Sequence, residues 1–170
     1  MGSKLAIAML AASVLVPARA LPLAAQARPP RVLVVPPLLA IALNDLTFGS
    51  VLPGIPSAVS PLDVHRAGQF EVTGPAGASV RVEFVLPSAL TADGGARLPI
   101  SFGAGDGLAD FSREHLPHGI VFDPHAPVIG TLSADGRLFL RLGATALPGR
   151  PQAGGTYRAT ISLTVYDLGS

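Results

Sequence analysis

The sequence predicts an all-β protein, a sandwich whose strands are joined by Greek-key connections. Apolar and polar residues alternate with a period of two in several stretches, as they do in strands that are buried on one face. Turn-forming Gly, Pro and Asp residues separate these stretches at short intervals, and no stretch after Val16 has the apolar spacing of a helix. Seven or eight short strands without intervening helices are typical of a single β-sandwich domain.

Residues 79–86, 136–142 and 155–166 alternate most clearly, and we predict one strand over each of them. In residues 136–142 the three leucines face inward, whereas Phe139 and the two arginines face the other way. The stretch 155–166 is predicted to be a single long strand. Its apolar face consists of Tyr157, Ala159, Ile161, Leu163 and Val165. Weaker strands are predicted over residues 38–43, 68–73, 98–102 and 119–122.

Three short segments carry the residues that turns require. They are residues 74–77 (Gly-Pro-Ala-Gly), residues 93–95 (Asp-Gly-Gly) and the pair Asp135-Gly136. The last lies between Leu132 and Leu138 and is predicted to be the tip of a hairpin. We find no internal repeat and no second domain.

The composition excludes several classes of protein. The chain has 170 residues, of which 49% are hydrophobic, 14% are charged and none is Cys. This composition excludes a disordered tail, a disulfide-stapled miniprotein, thiol catalysis and cysteine-based metal sites. The formal net charge is only +1, and the sequence contains no run of basic residues that could bind a phosphate backbone. We therefore expect no nucleic-acid partner.

The first 27 residues have the pattern of a secretory signal peptide. Lys4 supplies a positive charge, residues 5–16 form a short apolar run, and Ala25 and Ala27 fit a cleavage site that ends at Ala27. Cleavage after Ala20 is the alternative. The apolar run is too short for a stable membrane span, so we expect export through the periplasm to the cell surface or the medium. The predicted parts are a signal peptide (1–27), an N-terminal extension (28–37) and the sandwich domain (38–170).

No group of residues indicates an enzyme. His115, His118 and His125 lie in a stretch rich in Pro, which predicts an irregular loop and not a rigid metal site. The glycine-rich residues 103–107 have no helix after them to hold a phosphate, and no serine lies in a G-x-S-x-G setting. We expect no catalytic residue, no metal and no cofactor.

Four segments carry a resemblance to a known family. They are the run Leu46-Thr47-Phe48-Gly49 with its neighbours at 43–51, residues 70–74 (FEVTG), residues 80–87, and the ending GTYRATISLTVY at 155–166. Together, in this order, they resemble a bacterial family of secreted pilin-like domains of unknown function. That family is similar to the spore coat protein U type subunits of archaic chaperone–usher fimbriae.

This resemblance implies an immunoglobulin-like Greek-key sandwich that lacks one strand. A chaperone, or the N-terminal segment of a neighbouring subunit, then fills the groove by strand addition. The groove is expected along Tyr157, Ala159, Ile161, Leu163 and Val165, and the candidate donor strand is Val32, Leu33, Val34 and Val35.

The expected function is that of a non-enzymatic structural or adhesive subunit of a fimbria-like surface fibre. Its partners would be other fimbrial subunits or further copies of itself, a periplasmic chaperone and an outer-membrane usher. The alternative is that residues 32–35 are the first strand of the chain's own sandwich. The protein would then be a periplasmic or secreted binding domain that does not polymerise.

Overall fold

The computed structural model describes residues 37–111 and 119–169. These residues form thirteen strands and contain no helix, which confirms the predicted all-β class. In chain order the strands are β1 (Leu39–Asn44), β2 (Ser57–Val59), β3 (Gly68–Thr73), β4 (Ser79–Val85), β5 (Ala89–Ala92), β6 (Arg97–Ser101), β7 (Gly107–Asp110), β8 (Ile120–Phe122), β9 (Val128–Thr131), β10 (Arg137–Leu142), β11 (Ala144–Ala146), β12 (Tyr157–Arg158) and β13 (Ser162–Gly169).

The strands form three antiparallel sheets. The first has five strands in the order β1-β3-β10-β7-β8, and the second has three in the order β13-β4-β9. The third has five strands in the order β12-β5-β6-β11-β2. The immunoglobulin-like arrangement of the connections stays a prediction.

The first two sheets pack face to face as the two layers of a sandwich. Leu138 and Leu140 of the first sheet and Val80 and Val82 of the second belong to one apolar cluster, and each is fully buried. Leu138 pairs with Val72 in the neighbouring strand, so the register brings these two inward-facing residues together. The predicted inward face of residues 136–142 is thereby confirmed.

The third sheet carries a second apolar cluster that the sequence did not predict. Its buried members include Val59, Leu98, Ile100 and Ala146, with Phe48 and Phe102 packed among them. Three of its strands, β2, β5 and β11, are only three or four residues long. Alternation cannot be recognised over so few residues. Together with β7 and β9, which are four residues long, and with the division of the predicted terminal strand into β12 and β13, these strands explain why thirteen are found where seven or eight were expected.

Two glycines lie where the chain passes from one sheet to another. Gly143 separates β10 from β11, and a Cβ atom there would overlap the carbonyl oxygen of Val59. Gly136 has a φ of 69°, and its carbonyl accepts a hydrogen bond of 2.9 Å from the Gly74 amide. The predicted hairpin at Asp135-Gly136 is corrected: the turn is present, but β9 before it and β10 after it belong to different sheets.

Candidate functional site

The terminal segment forms two strands, β12 of two residues and β13 of eight, instead of the single long one that was predicted. β12 pairs with β5 through Tyr157 and Ala92, whereas β13 pairs with β4 through Val165 and Val82. Residues 159–161 lie in neither strand, because the chain crosses there from the third sheet to the second. The alternation of half-buried and exposed side chains nevertheless continues through this break at most positions. A period of two indicates which way side chains face and not which strand is their partner.

The crossing divides the predicted groove residues between the two clusters. Tyr157 and Ile161 pack against the second cluster, while Leu163 and Val165 pack against the first. Ala159 is exposed, so its predicted place on the apolar face of one continuous strand is corrected. The Tyr157 hydroxyl donates a hydrogen bond of 2.6 Å to the Ala153 carbonyl and accepts one of 2.7 Å from Gln152 Nε2. Tyr157 is therefore tied to the preceding loop.

One side of the sandwich is bordered by two edge strands. β13 is the edge of the three-stranded layer, and β1 is the edge of the five-stranded layer. The two strands approach each other across the layers. Within the described ranges β13 pairs only with β4, so its other edge presents main-chain donors and acceptors to this side.

The inward-facing residues of β1 are not covered by the opposite layer. Ala40 and Ala42 pair with Val72 and Phe70, which face the first cluster, so the two alanines also face inward. Val72 is fully buried, but both alanines are exposed. Because β1 approaches β13, we call the region between these alanines and the half-buried Leu163 and Val165 of β13 the side groove.

Sequence reasoning missed Ala40 and Ala42 because both faces of β1 are apolar. The larger residues Leu39, Ile41 and Leu43 alternate with the alanines and would favour the opposite orientation. In the structure these three face away from the first cluster and are 57%, 41% and 49% exposed. Only the pairing with β3 identifies the inward face.

A separate cavity of about 390 Å³ lies between the two clusters. Phe84 from the first cluster and Phe102 from the second lie in its walls, and polar atoms contribute more of its exposed lining than apolar atoms do. His125 lines the cavity, and its ring packs edge-on against Phe102 with 6.4 Å between centroids. Hydrogen bonds from the His125 amide and from its ring Nδ1 to Asp123 lower the pKa of the Asp123 carboxyl.

Several residues singled out in the sequence lie outside the described residues. They are the cleavage site at Ala27, the candidate donor residues Val32 to Val35, and His115 and His118. Over residues 37–111 and 119–169, no three or more Cys, His or acidic side chains are grouped to hold a metal ion. Within the same ranges no helix is long and apolar enough to cross a membrane.

The glycine-rich segment at 103–107 forms a turn between β6 and β7. The Asp106 amide donates to the Gly103 carbonyl at 3.0 Å, and Asp106 Oδ2 accepts a hydrogen bond of 2.6 Å from the Gly103 amide. The side groove and the cavity are thus the two features from which a function can be argued. Comparisons with protein-family models, with curated proteins and with solved structures find no match to this chain.

Proposed function

We propose that the protein is a non-enzymatic structural or adhesive subunit of a surface fibre that assembles by β-strand complementation. One observation carries the proposal: Ala40 and Ala42 face the interior of the sandwich and are nevertheless exposed, next to the edge strand β13. An uncovered apolar interior beside an open edge is what a sandwich with one strand too few would present.

An extended segment fits the chemistry of the side groove. Its main chain can pair with the open edge of β13, while every second side chain enters the groove. The alanines of β1 are small and leave space for larger side chains, and Leu163 and Val165 supply apolar contacts. Main-chain pairing supplies affinity, and the fit of alternate side chains supplies specificity.

The candidate donor is the N-terminal extension of another copy or of another subunit. Val32, Leu33, Val34 and Val35 form an apolar run in which three of the four residues are β-branched valines, which suits an added strand. Pro36-Pro37 follow directly and cannot continue a paired ladder, so they uncouple the donor from the domain. On this proposal a signal peptide that ends at Ala27 directs export of the chain. The exported chain then binds a periplasmic chaperone and an outer-membrane usher.

Two matched variants test the proposal. Ala42→Asp places a charge in the side groove, whereas Ile41→Asp places the same charge on the outward face of the same strand. Both positions are exposed, so both variants are expected to fold. Size-exclusion chromatography and negative-stain electron microscopy should show fibres or oligomers for the wild type and for Ile41→Asp, and monomers for Ala42→Asp. Equal assembly of the two variants would contradict the proposal.

The cavity favours a second candidate function, that of a binding domain that does not polymerise. Its volume of about 390 Å³ lies within the range of small-molecule sites. Phe84 and Phe102 offer apolar contacts, and His125 offers a polar group held by Asp123. In this case residues 32–35 would be the chain's own first strand. A full-length monomer that remains stable at high concentration would favour this function.

A further inference from the structure

The outer face of the three-stranded sheet is the feature that the side groove and the cavity leave unexplained. Val80 and Val82 of β4 are buried against the first cluster, so Arg81, Glu83 and Val85 face outward. Arg81 pairs with Ile129 of β9 on one side and with Tyr166 of β13 on the other. These residues form the patch that we call the outer face.

The outer face is apolar at its borders. Val85 and Ile129 are each 66% exposed, and Tyr166 is 46% exposed. Large apolar side chains that are exposed singly are common, whereas three of them around one charged pair on a small sheet make this face a candidate interaction surface.

The centre of the outer face carries one charge of each sign. Arg81 forms an ion pair with Glu83, and its guanidinium lies 6.0 Å from the centre of the Tyr166 ring. The two charged residues are two positions apart on one strand, which separates their Cα atoms by about 6.6 Å along β4. The patch is therefore neutral as a whole but has a positive and a negative end.

We propose that the outer face binds the outer face of a second copy of this chain. The two faces would be related by a two-fold axis that runs between the two sheets, perpendicular to the strands and level with Val82. Such an axis places the two β4 strands antiparallel. Arg81 of each copy then faces Glu83 of its neighbour, so the patch is complementary to itself, as an interface with two-fold symmetry requires. Tyr and Arg are also the residue types enriched in interfaces between proteins.

Charge also argues against other occupants of this patch. An anionic membrane or a nucleic acid would require an excess of positive charge, whereas Arg81 and Glu83 cancel. The proposed contact is independent of strand complementation, because complementation uses the edge and the inward face of β13. Fibres built from such subunits would therefore also associate laterally, through contacts between their outer faces.

The decisive experiment mixes two charge variants. Arg81→Glu makes the centre of the outer face doubly negative, and Glu83→Arg makes it doubly positive. Each variant is made in the full chain that also carries Ala42→Asp, so that assembly through the side groove does not contribute. The parent chain, which carries Ala42→Asp alone, is the reference. Sedimentation velocity over a concentration series should show that each charge variant associates with itself at least about tenfold more weakly than this parent chain. An equimolar mixture of the two variants should regain the dimer.

A second pair of variants covers the case in which a charge variant does not fold. Ile129→Lys should weaken dimerisation at least about tenfold, whereas Val121→Lys, at a 61% exposed position on the other sheet, should leave it unchanged. A parent chain that is monomeric at all concentrations overturns the inference. It is equally overturned if the mixture associates no more strongly than either variant alone, or if the two lysine variants behave alike.

Discussion

The centre and the side of the sandwich differ in how far their inward-facing side chains are buried. At the centre, Leu138 and Leu140 of β10 lie over Val80 and Val82 of β4, and all four are fully buried. At the side, β1 pairs in register with β3 but its inward-facing alanines remain exposed. The difference arises because a layer of three strands cannot cover a layer of five. The centre therefore stabilises the fold, and the side is left available for binding.

Substitutions in the two regions should have very different effects on the free energy of unfolding. Leu140→Ala removes a fully buried side chain at the centre and is expected to cost about 2–5 kcal/mol. Leu163→Ala removes a half-buried side chain at the side and should cost about 1–2 kcal/mol. Urea denaturation of both variants measures the difference. Thr164→Ala, at an exposed position of β13, is the control and should change the free energy by less than about 0.5 kcal/mol. Equal losses for the two leucines would mean that the side is packed as tightly as the centre.

The turns that connect the two layers at the centre should be sensitive to added volume. Gly136 and Gly77 have φ angles of 69° and 73°, so alanine is strained at either position by about 1–2 kcal/mol. At Gly136 the added Cβ would also overlap the Gly74 carbonyl, whereas at Gly77 it meets nothing within 4 Å. Gly136→Ala should therefore lower the melting temperature further than Gly77→Ala. The account of this turn is wrong if the order is reversed.

The smallest expected effect concerns an exposed turn outside both regions. The Arg66 side chain donates a hydrogen bond of 2.7 Å to Asp63, and the amides of His65 and Arg66 also donate to it. These bonds lower the pKa of the Asp63 carboxyl below its ordinary value of 3.8. Because the pKa in the folded state is lowered, the stabilisation is present above about pH 4 and is lost as the pH falls through the folded-state pKa.

Asp63→Asn tests this dependence on pH. The variant should be slightly less stable than the wild type at pH 6, and the two melting temperatures should converge as the pH is lowered toward 3. A difference that grows on acidification would show that the carboxylate is not stabilised in the folded state.

Much of the central sandwich could be predicted from alternation. The strand over residues 68–73 was predicted with its observed bounds, and β1, β4, β6, β8 and β10 were each found within one residue at either end. Three of them, β4, β6 and β10, alternate between buried and more exposed residues, so their sequences carry a clear period of two. In the third sheet, whose strand β6 was predicted, β2, β5 and β11 were missed because they are too brief to show that period.

The candidate site could be predicted only in part. Leu163 and Val165 were identified because they alternate with exposed Thr164 and Ser162. The break before Ser162 and the exposure of Ala40 and Ala42 depend on which strands pair and on how many strands the opposite layer contains. Such properties of the whole sheet leave no signature in a local stretch of sequence.

The central claim, that the side groove accepts a strand from another chain, is tested most directly with a peptide. The chain is prepared without residues 28–35 and titrated with a fluorescent peptide of the sequence of those residues, RPPRVLVV. A peptide with Val34→Asp serves as the control. We expect saturable binding of the first peptide only, with fibres formed by the full-length protein and not by the truncated one. Strand complementation in the side groove is contradicted if the full-length protein is a stable monomer that forms no oligomers and the truncated chain does not bind the peptide.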